Sequence, residues 1–211
     1  MSMKKANAVK AATMIQNIEK RNMEAVYCET KEDALEHILS YIDKGSVVSW
    51  GGSQSAKDIG LMDIIKTSGD YTPIDRSAGK DATEQRELFG KAMLSDYFIM
   101  GSNAITLDGE LINIDGTGNR LASLCYGPAH VVIIVGMNKV VNNVEDGIAR
   151  VRNIASPPNT IRLGKKTPCA LTGRCGDCYS EECICNQILI TRRSRDKERI
   201  HIVLVGENVG F

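Results

Sequence analysis

The chain is poor in aromatic residues, in net charge and in long apolar runs. Only one Trp and three Phe occur among 211 residues, which argues against the base-stacking platforms that bind single-stranded nucleic acid. Lys plus Arg and Asp plus Glu number 26 each, so no net charge attracts the chain to nucleic acid or to an anionic membrane. No run of about eighteen apolar residues occurs, so we expect no membrane span.

The N-terminal sequence MSMKKANAVKAATMIQ also lacks the apolar core that signal peptides contain. We therefore expect a cytoplasmic protein, in which cysteine thiols stay reduced. The length suits one domain over residues 1–211, and a hydrophobic content of 43 % is enough for a core.

Cysteine is abundant by contrast, because five of seven cysteines lie within seventeen residues near the C-terminus. These five are Cys169, Cys175, Cys178, Cys183 and Cys185. Neighbouring Gly and Pro residues let the backbone turn, so four thiolates can converge on one metal ion or cluster. A disulfide framework is the competing interpretation, but the count is odd and the expected compartment is reducing. Unrelated free cysteines are a further alternative, although free thiols seldom cluster in a polar loop. The pattern predicts a metal site.

The identity of the metal stays open between an iron–sulfur cluster and zinc. Structural zinc sites usually join two CxxC pairs, whereas this segment has one such pair with irregular spacings around it. Iron–sulfur clusters use four cysteines at spacings that vary between families, so the pattern favours iron–sulfur. Five cysteines exceed four ligands, and side chains alternate along an extended segment. We therefore expect one of Cys183 and Cys185 to be surplus unless the chain bends there.

Strand patterns alternate with helix patterns through most of the chain. Residues 4–22 have apolar residues at helical spacing, and Thr30 with Asp33 forms a capping arrangement at a second helix. Strands are predicted at SVVSW (46–50) and VVIIV (131–135), which are continuous apolar runs. The fold class is therefore α/β, with a mostly parallel sheet that has helices on both faces.

Three further local predictions follow from the same patterns. A hairpin is predicted over 105–114, with Asp108 and Gly109 in a type I′ turn. A helix over 143–154 is expected to end before Pro157 and Pro158. The strands 188–191 and 200–205 are expected to return to the main sheet. Residues 161–186 are then a C-terminal cysteine-rich metal-binding excursion inserted into the domain, with most of its order supplied by metal–thiolate bonds.

A second candidate site is the sequence WGGSQSAKDIG, in which a glycine and serine turn joins a buried strand to a helix. Gly51 and Gly52 allow backbone amides to point inward, and Ser53 and Ser55 supply hydroxyl donors, which suits an anion. The alternative is an ordinary tight turn in which Ser55 caps the helix. The position favours a ligand site, because ligands of open α/β sheets bind at the carboxyl ends of strands.

A third candidate is the segment that runs from Asp108 to Arg120. Asp108 and Glu110 fit a solvated hairpin turn. The sequence GTGN turns the chain into a helix and places Asp115, Asn119 and Arg120 where an anion can be held. The three histidines, His37, His130 and His201, suggest no catalytic role.

Four segments in order give the chain a resemblance to a known family. They are SVVSWGGSQSAKDIGL, NAITLDGELINIDGTGNRLASLCYGP, the cysteine run and VLVGENVGF. Together they resemble the LUD-domain family, which is associated with lactate utilisation, over essentially the whole chain. The resemblance implies a NagB/RpiA/CoA-transferase-like fold. In similar short members the cysteines read C-x5-C-x2-C-x6-C, which implies the ligands Cys169, Cys175, Cys178 and Cys185 and leaves out Cys183.

Two functions of different class are compatible with this resemblance. The first is an iron–sulfur component, with a 4Fe–4S cluster, that works with other subunits of an iron–sulfur oxidoreductase system to oxidise lactate or a similar small hydroxy acid. The second is an enzyme or sensor that binds a small phosphorylated or acyl ligand at the turn 51–55, with a purely structural zinc. Both include a small anionic ligand. Whether the chain is itself catalytic stays open.

Overall fold

The computed structural model describes residues 2–211. Its α-helices, in chain order, are α1 Ser2–Lys20, α2 Lys31–Tyr41, α3 Gln54–Asp58, α4 Leu61–Thr67, α5 Ala82–Ala92, α6 Asn119–Cys125, α7 Val144–Arg150, α8 Ser156–Arg162 and α9 Pro168–Thr172. Its strands are β1 Glu24–Cys28, β2 Val47–Trp50, β3 Thr72–Ile74, β4 Tyr97–Gly101, β5 Ala104–Thr106, β6 Leu111–Asp115, β7 His130–Gly136, β8 Val140–Val141, β9 Gln187–Thr191 and β10 Ile200–Val205. No helix among the described residues is long and apolar enough to cross a membrane.

Six parallel strands form the main sheet, in the order β1-β10-β7-β4-β2-β3. The central strands β10, β7 and β4 are buried along almost their whole length. Their continuous apolar sequences follow from this burial on both faces. The predicted α/β class with a mostly parallel sheet is confirmed.

Alternate residues of the central strands point into two separate cores. On one face, Val132 and Ile134 of β7 pack with residues of α2, α3 and α4. On the other face, Val131 and Ile133 pack with Met14 of α1 and with α6. Helices therefore cover both faces, as the sequence predicted, because each face carries one apolar set of a period-two pattern.

A second sheet of four strands, in the order β8-β5-β6-β9, is separate from the main sheet. Its strands β5 and β6 contribute Ile105 and Leu111 to the core that α1 shares with the main sheet. The prediction that residues 188–191 return to the main sheet is wrong, because β9 pairs antiparallel with β6. Strand β10 does return to the main sheet, between β1 and β7.

The hairpin of β5 and β6 is present, but its turn is not type I′. A type I′ turn needs positive φ at both central residues, and among Asp108 and Gly109 only Gly109 has it, at 90°. The Gly109 amide donates to the Thr106 carbonyl at 2.9 Å, which fits a type I turn followed by a left-handed glycine. A β-carbon at Gly109 would lie 2.8 Å from Cγ1 of Ile18, so the turn also packs closely on α1.

The predicted end of a helix before Pro157 and Pro158 is also wrong. Helix α7 passes through a π-helical turn at Val151–Ala155 directly into α8, which has both prolines in its first turn. The amide of Ser156 donates to the carbonyl of Val151, one residue farther back than in an α-helix. Proline has no N–H to donate to the preceding turn, and the two prolines follow the π-helical turn, where the α-helical hydrogen-bond pattern is already interrupted.

Residues 173–186 form no helix or strand, whereas the preceding part of the cysteine-rich segment lies in α8 and α9. The description of 161–186 as an inserted excursion stays a prediction. The capping box of Thr30 and Asp33 is present at α2, with both of its hydrogen bonds at 3.1 Å.

Candidate functional site

A pocket of about 340 Å³ opens at the carboxyl ends of the parallel strands β2, β4 and β7. This is the edge at which ligands of open parallel sheets bind. Six of the residues expected at the second and third candidate sites line it. They are Gly52, Ser53, Ser55, Asp115, Asn119 and Arg120. The fold therefore brings together two segments that are about sixty residues apart in the chain.

The glycine and serine turn is held by hydrogen bonds within the protein. Helix α3 begins at Gln54, and Ser53 caps it by accepting the Ala56 amide at 3.2 Å. The alternative in which Ser55 caps the helix is therefore wrong. Ser55 is buried and lines the pocket, and its hydroxyl accepts from Nζ of Lys139 at 2.8 Å.

Arg120 is oriented by Asp115. The Nε of Arg120 lies 2.6 Å from Oδ2 of Asp115, and Nη2 donates to the Ile114 carbonyl at 2.8 Å. The other carboxylate oxygen of Asp115 accepts the amides of Thr117 and Gly118. Because Asp115 already accepts three hydrogen bonds, we interpret it as the residue that positions Arg120, which keeps N–H groups for a ligand.

Gly51 does not line the pocket, but it determines how closely the side chain of Arg120 can approach the end of β2. A β-carbon at Gly51 would lie 2.6 Å from Cγ and 2.7 Å from Cδ of Arg120. At Gly52 a β-carbon would meet no atom within 4 Å. The absence of a side chain at Gly51 therefore lets the aliphatic part of Arg120 lie against the strand end.

Sequence reasoning missed Lys139, which lies in the 3₁₀ turn after β7 and lines the pocket. The residue is 5 % exposed, and its Nζ donates to Oγ of Ser55 at 2.8 Å and to the Ser102 carbonyl at 3.4 Å. Burial, together with the charges of Arg150 and Arg120, lowers the pKa of Lys139 to about 7, against a smaller opposing effect of Asp58. The sequence does contain a signal for this residue, because Lys139 follows the end of the buried parallel strand β7 by three residues.

Cationic groups outnumber carboxylates around the pocket. Arg120 and the buried Lys139 lie at its base, Arg162 and Lys165 lie at its rim, and Asp115 has the one side-chain carboxylate among the described lining residues. Arg162 is exposed and donates to the side chain of Asn159 at 2.7 Å. The excess of positive charge suits a small anion.

The five clustered cysteines line a second cavity of about 180 Å³. Cys169 is buried, with its sulfur 3.2 Å from the Thr167 hydroxyl and 3.5 Å from the Thr160 hydroxyl. The sulfur of Cys185 lies 3.3 Å from the hydroxyl of Ser156. Cys175 and Cys178 are partly exposed on the remaining side. Among residues 2–211, no three His, Cys, Asp or Glu side chains are grouped so that they could hold a metal ion.

Both Cys183 and Cys185 line this cavity. Strict alternation would have sent them to opposite faces, but the chain turns at 181–182 and bends at Ile184. The Cys183 amide donates to the Ser180 carbonyl at 2.9 Å, and the Cys185 amide lies 3.4 Å from the Cys183 sulfur. Position in the fold therefore does not separate the two cysteines, and the choice of Cys185 stays a prediction.

The cationic pocket and the cysteine cavity share a wall. Ile114, Ser156 and Ile184 line both. The sequence alone left open whether the two sites are close in space. The structure places them next to each other.

The remaining candidates lie away from the pocket. Glu110 forms an ion pair with Arg21 at 2.9 Å and accepts the hydroxyl of Thr106 at 2.8 Å. His201 and His130 lie at the amino ends of their strands, opposite the pocket edge. The Nε2 atoms of His37 and His201 are 2.9 Å apart.

Comparison with known proteins assigns most of the chain to one family, the LUD-domain family that the sequence resembles. The model of the LUD domain matches residues 11–205. A DUF162 family protein from Deinococcus radiodurans has a similar structure, with a TM-score of 0.51 and 12 % identity over 94 % of this chain and 98 % of that one. At this identity the likeness shows the fold alone. No curated protein matches the chain.

Two further solved structures are less similar. A ribose 5-phosphate isomerase from Plasmodium falciparum gives a TM-score of 0.34 with 18 % identity, over 54 % of this chain and 52 % of that one. The eIF2B-beta2-delta2 complex from C. thermophilum gives a TM-score of 0.42 with 14 % identity, over 84 % and 56 %. Neither score is high enough to argue a shared fold, so the NagB/RpiA/CoA-transferase-like assignment stays a prediction.

Proposed function

Since the chain belongs to the LUD-domain family, we propose that it is an iron–sulfur protein that acts in the oxidation of lactate or a similar small hydroxy acid. The cationic pocket holds the carboxylate of the acid. Cys169, Cys175, Cys178 and Cys185 hold a 4Fe–4S cluster in the neighbouring cavity. Other subunits of an iron–sulfur oxidoreductase system exchange electrons with it.

The chemistry of the donor set supports a cluster. All candidate ligands are thiols, which are soft donors that select iron–sulfur clusters or zinc. All five clustered cysteines line one cavity of about 180 Å³. A cluster of several irons spreads its four ligands farther apart than a single tetrahedral zinc does. When bound, such a cluster supplies one-electron transfer.

The observation that carries the proposal is the wall shared by the two cavities. The hydroxyl oxygen of Ser156 lies 3.3 Å from the Cys185 sulfur, and Ser156 also lines the cationic pocket. Ile114 and Ile184 complete this wall with apolar side chains, of which Ile114 is buried. A ligand in the pocket therefore lies one layer of side chains away from the cysteine cavity.

The pocket residues bind and orient the acid. Arg120, fixed by Asp115, presents free guanidinium N–H groups to a carboxylate, which is the charge-assisted contact that guanidinium makes best. Ser53 and Ser55, which follow β2, supply hydroxyls to the same pocket. Arg162 and Lys165 at the rim attract the anion from solvent.

The proposal is tested by metal analysis and ligand binding on one preparation. The protein is purified without oxygen, iron, sulfide and zinc are quantified, and absorption spectra are recorded. Lactate, other hydroxy acids and sugar phosphates are then compared in a thermal-shift assay, with Arg120→Gln as the control variant. We expect about four irons and four sulfides per chain and a shift with hydroxy acids that Arg120→Gln abolishes.

A colourless protein with one zinc per chain would exclude the cluster. A shift with sugar phosphates but not with hydroxy acids would instead favour the alternative function, in which the turn at 51–55 binds a phosphorylated ligand.

A further inference from the structure

Lys139 is a buried amine without a charged partner. It reaches from the turn after β7 into the base of the cationic pocket, where its hydrogen-bonding partners are the Ser55 hydroxyl and the Ser102 carbonyl. None of the ion pairs among residues 2–211 includes Lys139. A lysine that only stabilised the fold would be expected at the surface or beside a carboxylate.

The surroundings of Lys139 favour the neutral amine. Burial removes water from the ammonium group, and the nearby guanidinium groups of Arg150 and Arg120 repel it. Together these effects outweigh the attraction of the Asp58 carboxylate. Nucleophilic lysines are activated by these two means, desolvation and a neighbouring cation. The pKa of about 7 leaves a large fraction of the amine unprotonated at neutral pH.

The Ser55 hydroxyl lies close enough to this amine to accept a proton from it and to donate one. Its oxygen accepts from Nζ at 2.8 Å and lies 3.4 Å from the Val209 carbonyl. A hydroxyl both donates and accepts, so Ser55 can take a proton from the attacking amine and return one to a departing oxygen. The close approach of these groups requires Gly210, since a β-carbon there would lie 2.7 Å from both Nζ and Oγ.

We propose that the pocket binds a small 2-oxo acid and that Nζ of Lys139 forms an imine with its carbonyl carbon. The proposal rests on the proposed function, because a 2-oxo acid is what a 2-hydroxy acid becomes on losing two electrons and two protons. The carboxylate lies on Arg120, and the adjacent carbonyl faces the amine. A site that binds a carboxylate beside a neutral amine selects this class of ligand.

The chemistry balances without an oxidant or reductant. The Nζ lone pair attacks the carbonyl carbon, the electron pair of the C=O bond moves to oxygen, and that oxygen takes up a proton. The nitrogen, which gives up one proton to this oxygen, gives up its second proton to the hydroxyl group as that group leaves as water, and the nitrogen lone pair forms the C=N bond. The net reaction is amine plus 2-oxo acid giving imine plus one water.

Lys165 offers a matched comparison in the same pocket. It lies at the rim, its side chain is 36 % exposed, and its Nζ is 3.4 Å from Oε1 of Glu182. Unlike Lys139, this lysine has a carboxylate partner and is in contact with water. General reactivity of pocket lysines would label both residues, whereas the proposed chemistry labels Lys139.

The experiment traps the imine by reduction. The anaerobically purified protein is incubated with pyruvate and cyanoborohydride, digested and analysed by mass spectrometry. We expect one reduced pyruvate adduct per chain, on Lys139, formed faster as the pH rises through 7. Excess lactate should slow its formation, because both acids occupy one pocket. Lys139→Arg should lose the adduct, and Ser55→Ala should form it at least about tenfold more slowly. Lys66→Met should keep it, because Lys66 lies outside the pocket and pairs with Asp75.

Absence of the adduct from the wild-type protein, or equal labelling of Lys139 and Lys165, would overturn the proposal. The wild-type result decides this even if Lys139→Arg does not fold. Binding of lactate without a trapped adduct would refute the imine and leave the proposed function intact. An adduct on Lys139 in a protein that holds no iron and binds no hydroxy acid would support the imine and refute the proposed function.

Discussion

The hydroxyl oxygen of Ser156 lies 3.3 Å from the sulfur of Cys185, although the two residues are 29 positions apart. Ser156 begins α8 directly after the π-helical turn, and it is 6 % exposed. Because it also lines the cationic pocket, it is the polar residue that contacts both cavities. Its removal therefore tests whether the cysteine cavity holds a redox group.

Replacement of Ser156 by Ala should make the reduction potential of the cluster more negative. A hydroxyl that donates to a ligand sulfur stabilises the reduced, more negative state, and that stabilisation is lost in Ser156→Ala. A redox titration followed by absorption or electron paramagnetic resonance measures the change. Thr67→Ala is the control, since the Thr67 hydroxyl donates to the Asp63 carbonyl on an exposed helix. An unchanged potential in Ser156→Ala would argue against Cys185 as a ligand.

Replacement of single cysteines should separate the ligands from the surplus thiol. Cys169→Ser should lose most of the bound iron, because a serine hydroxyl is a poor substitute for a thiolate. Cys183→Ser should keep it. Iron and sulfide content measured side by side gives the answer, and loss of iron in Cys183→Ser with retention in Cys185→Ser would reverse the assignment.

Gly51→Ala and Gly52→Ala should differ in ligand affinity. The β-carbon at position 51 would displace Arg120, whereas the one at position 52 meets nothing within 4 Å. Loss of one well-placed charge-assisted hydrogen bond costs about 1.5–3 kcal/mol, so affinity for a hydroxy acid should fall roughly tenfold or more in Gly51→Ala. Isothermal titration calorimetry compares the two variants with wild type. Equal affinities would mean that Arg120 does not bind the carboxylate.

The stability of the fold should depend on the protonation of Lys139. Its pKa is about 7 in the folded protein and near the ordinary 10.5 in the unfolded chain, so the unfolded chain binds more protons between these values. The free energy of unfolding contributed by Lys139 is therefore lowest below pH 7 and rises as the pH increases from about 7 to 10.5. Lys139→Met removes this rise.

Urea unfolding of wild type and Lys139→Met at several pH values in this window measures the difference. We expect the free energy of unfolding of Lys139→Met to exceed that of wild type by the largest amount near pH 7, at the acidic end of this window. A difference that stays constant with pH would show that Lys139 has an ordinary pKa in the folded protein.

Thr30→Ala should destabilise the protein by about 1 kcal/mol, because it removes the side-chain cap of α2. Ser40→Ala serves as the comparison, since its hydroxyl donates to the His37 carbonyl within the same helix and caps nothing. Thermal unfolding of wild type and of both variants measures the two changes in stability. An equal effect of the two substitutions would contradict the importance of the cap.

Elements with strong local signals could be predicted from the sequence. Helix α6 begins at Asn119, where the sequence GTGN is predicted to turn the chain into a helix, and the capping box of Thr30 and Asp33 is present as expected. Both depend on contacts between residues close in the chain, which sequence patterns record.

Elements whose form depends on distant partners could not be predicted. The π-helical turn before Pro157 packs on the second sheet, where Val151 and Ala155 join Ile112 in one core, and no local pattern reports that contact. The destination of β9 was decided by the free edge of β6, which no local pattern reports. In such cases tertiary packing overrides local preference.

By itself, the sequence determined the family, the parallel α/β framework and the clustering of thiols, since each is written in spacing along the chain. Only the tertiary structure decided that Ser55 and Lys139, 84 positions apart, share a hydrogen bond, and that the cysteine cavity adjoins the cationic pocket. The physical reason is strand order. Parallel strands distant in sequence end side by side at one edge of the sheet, and burial there removes water from whichever side chains meet.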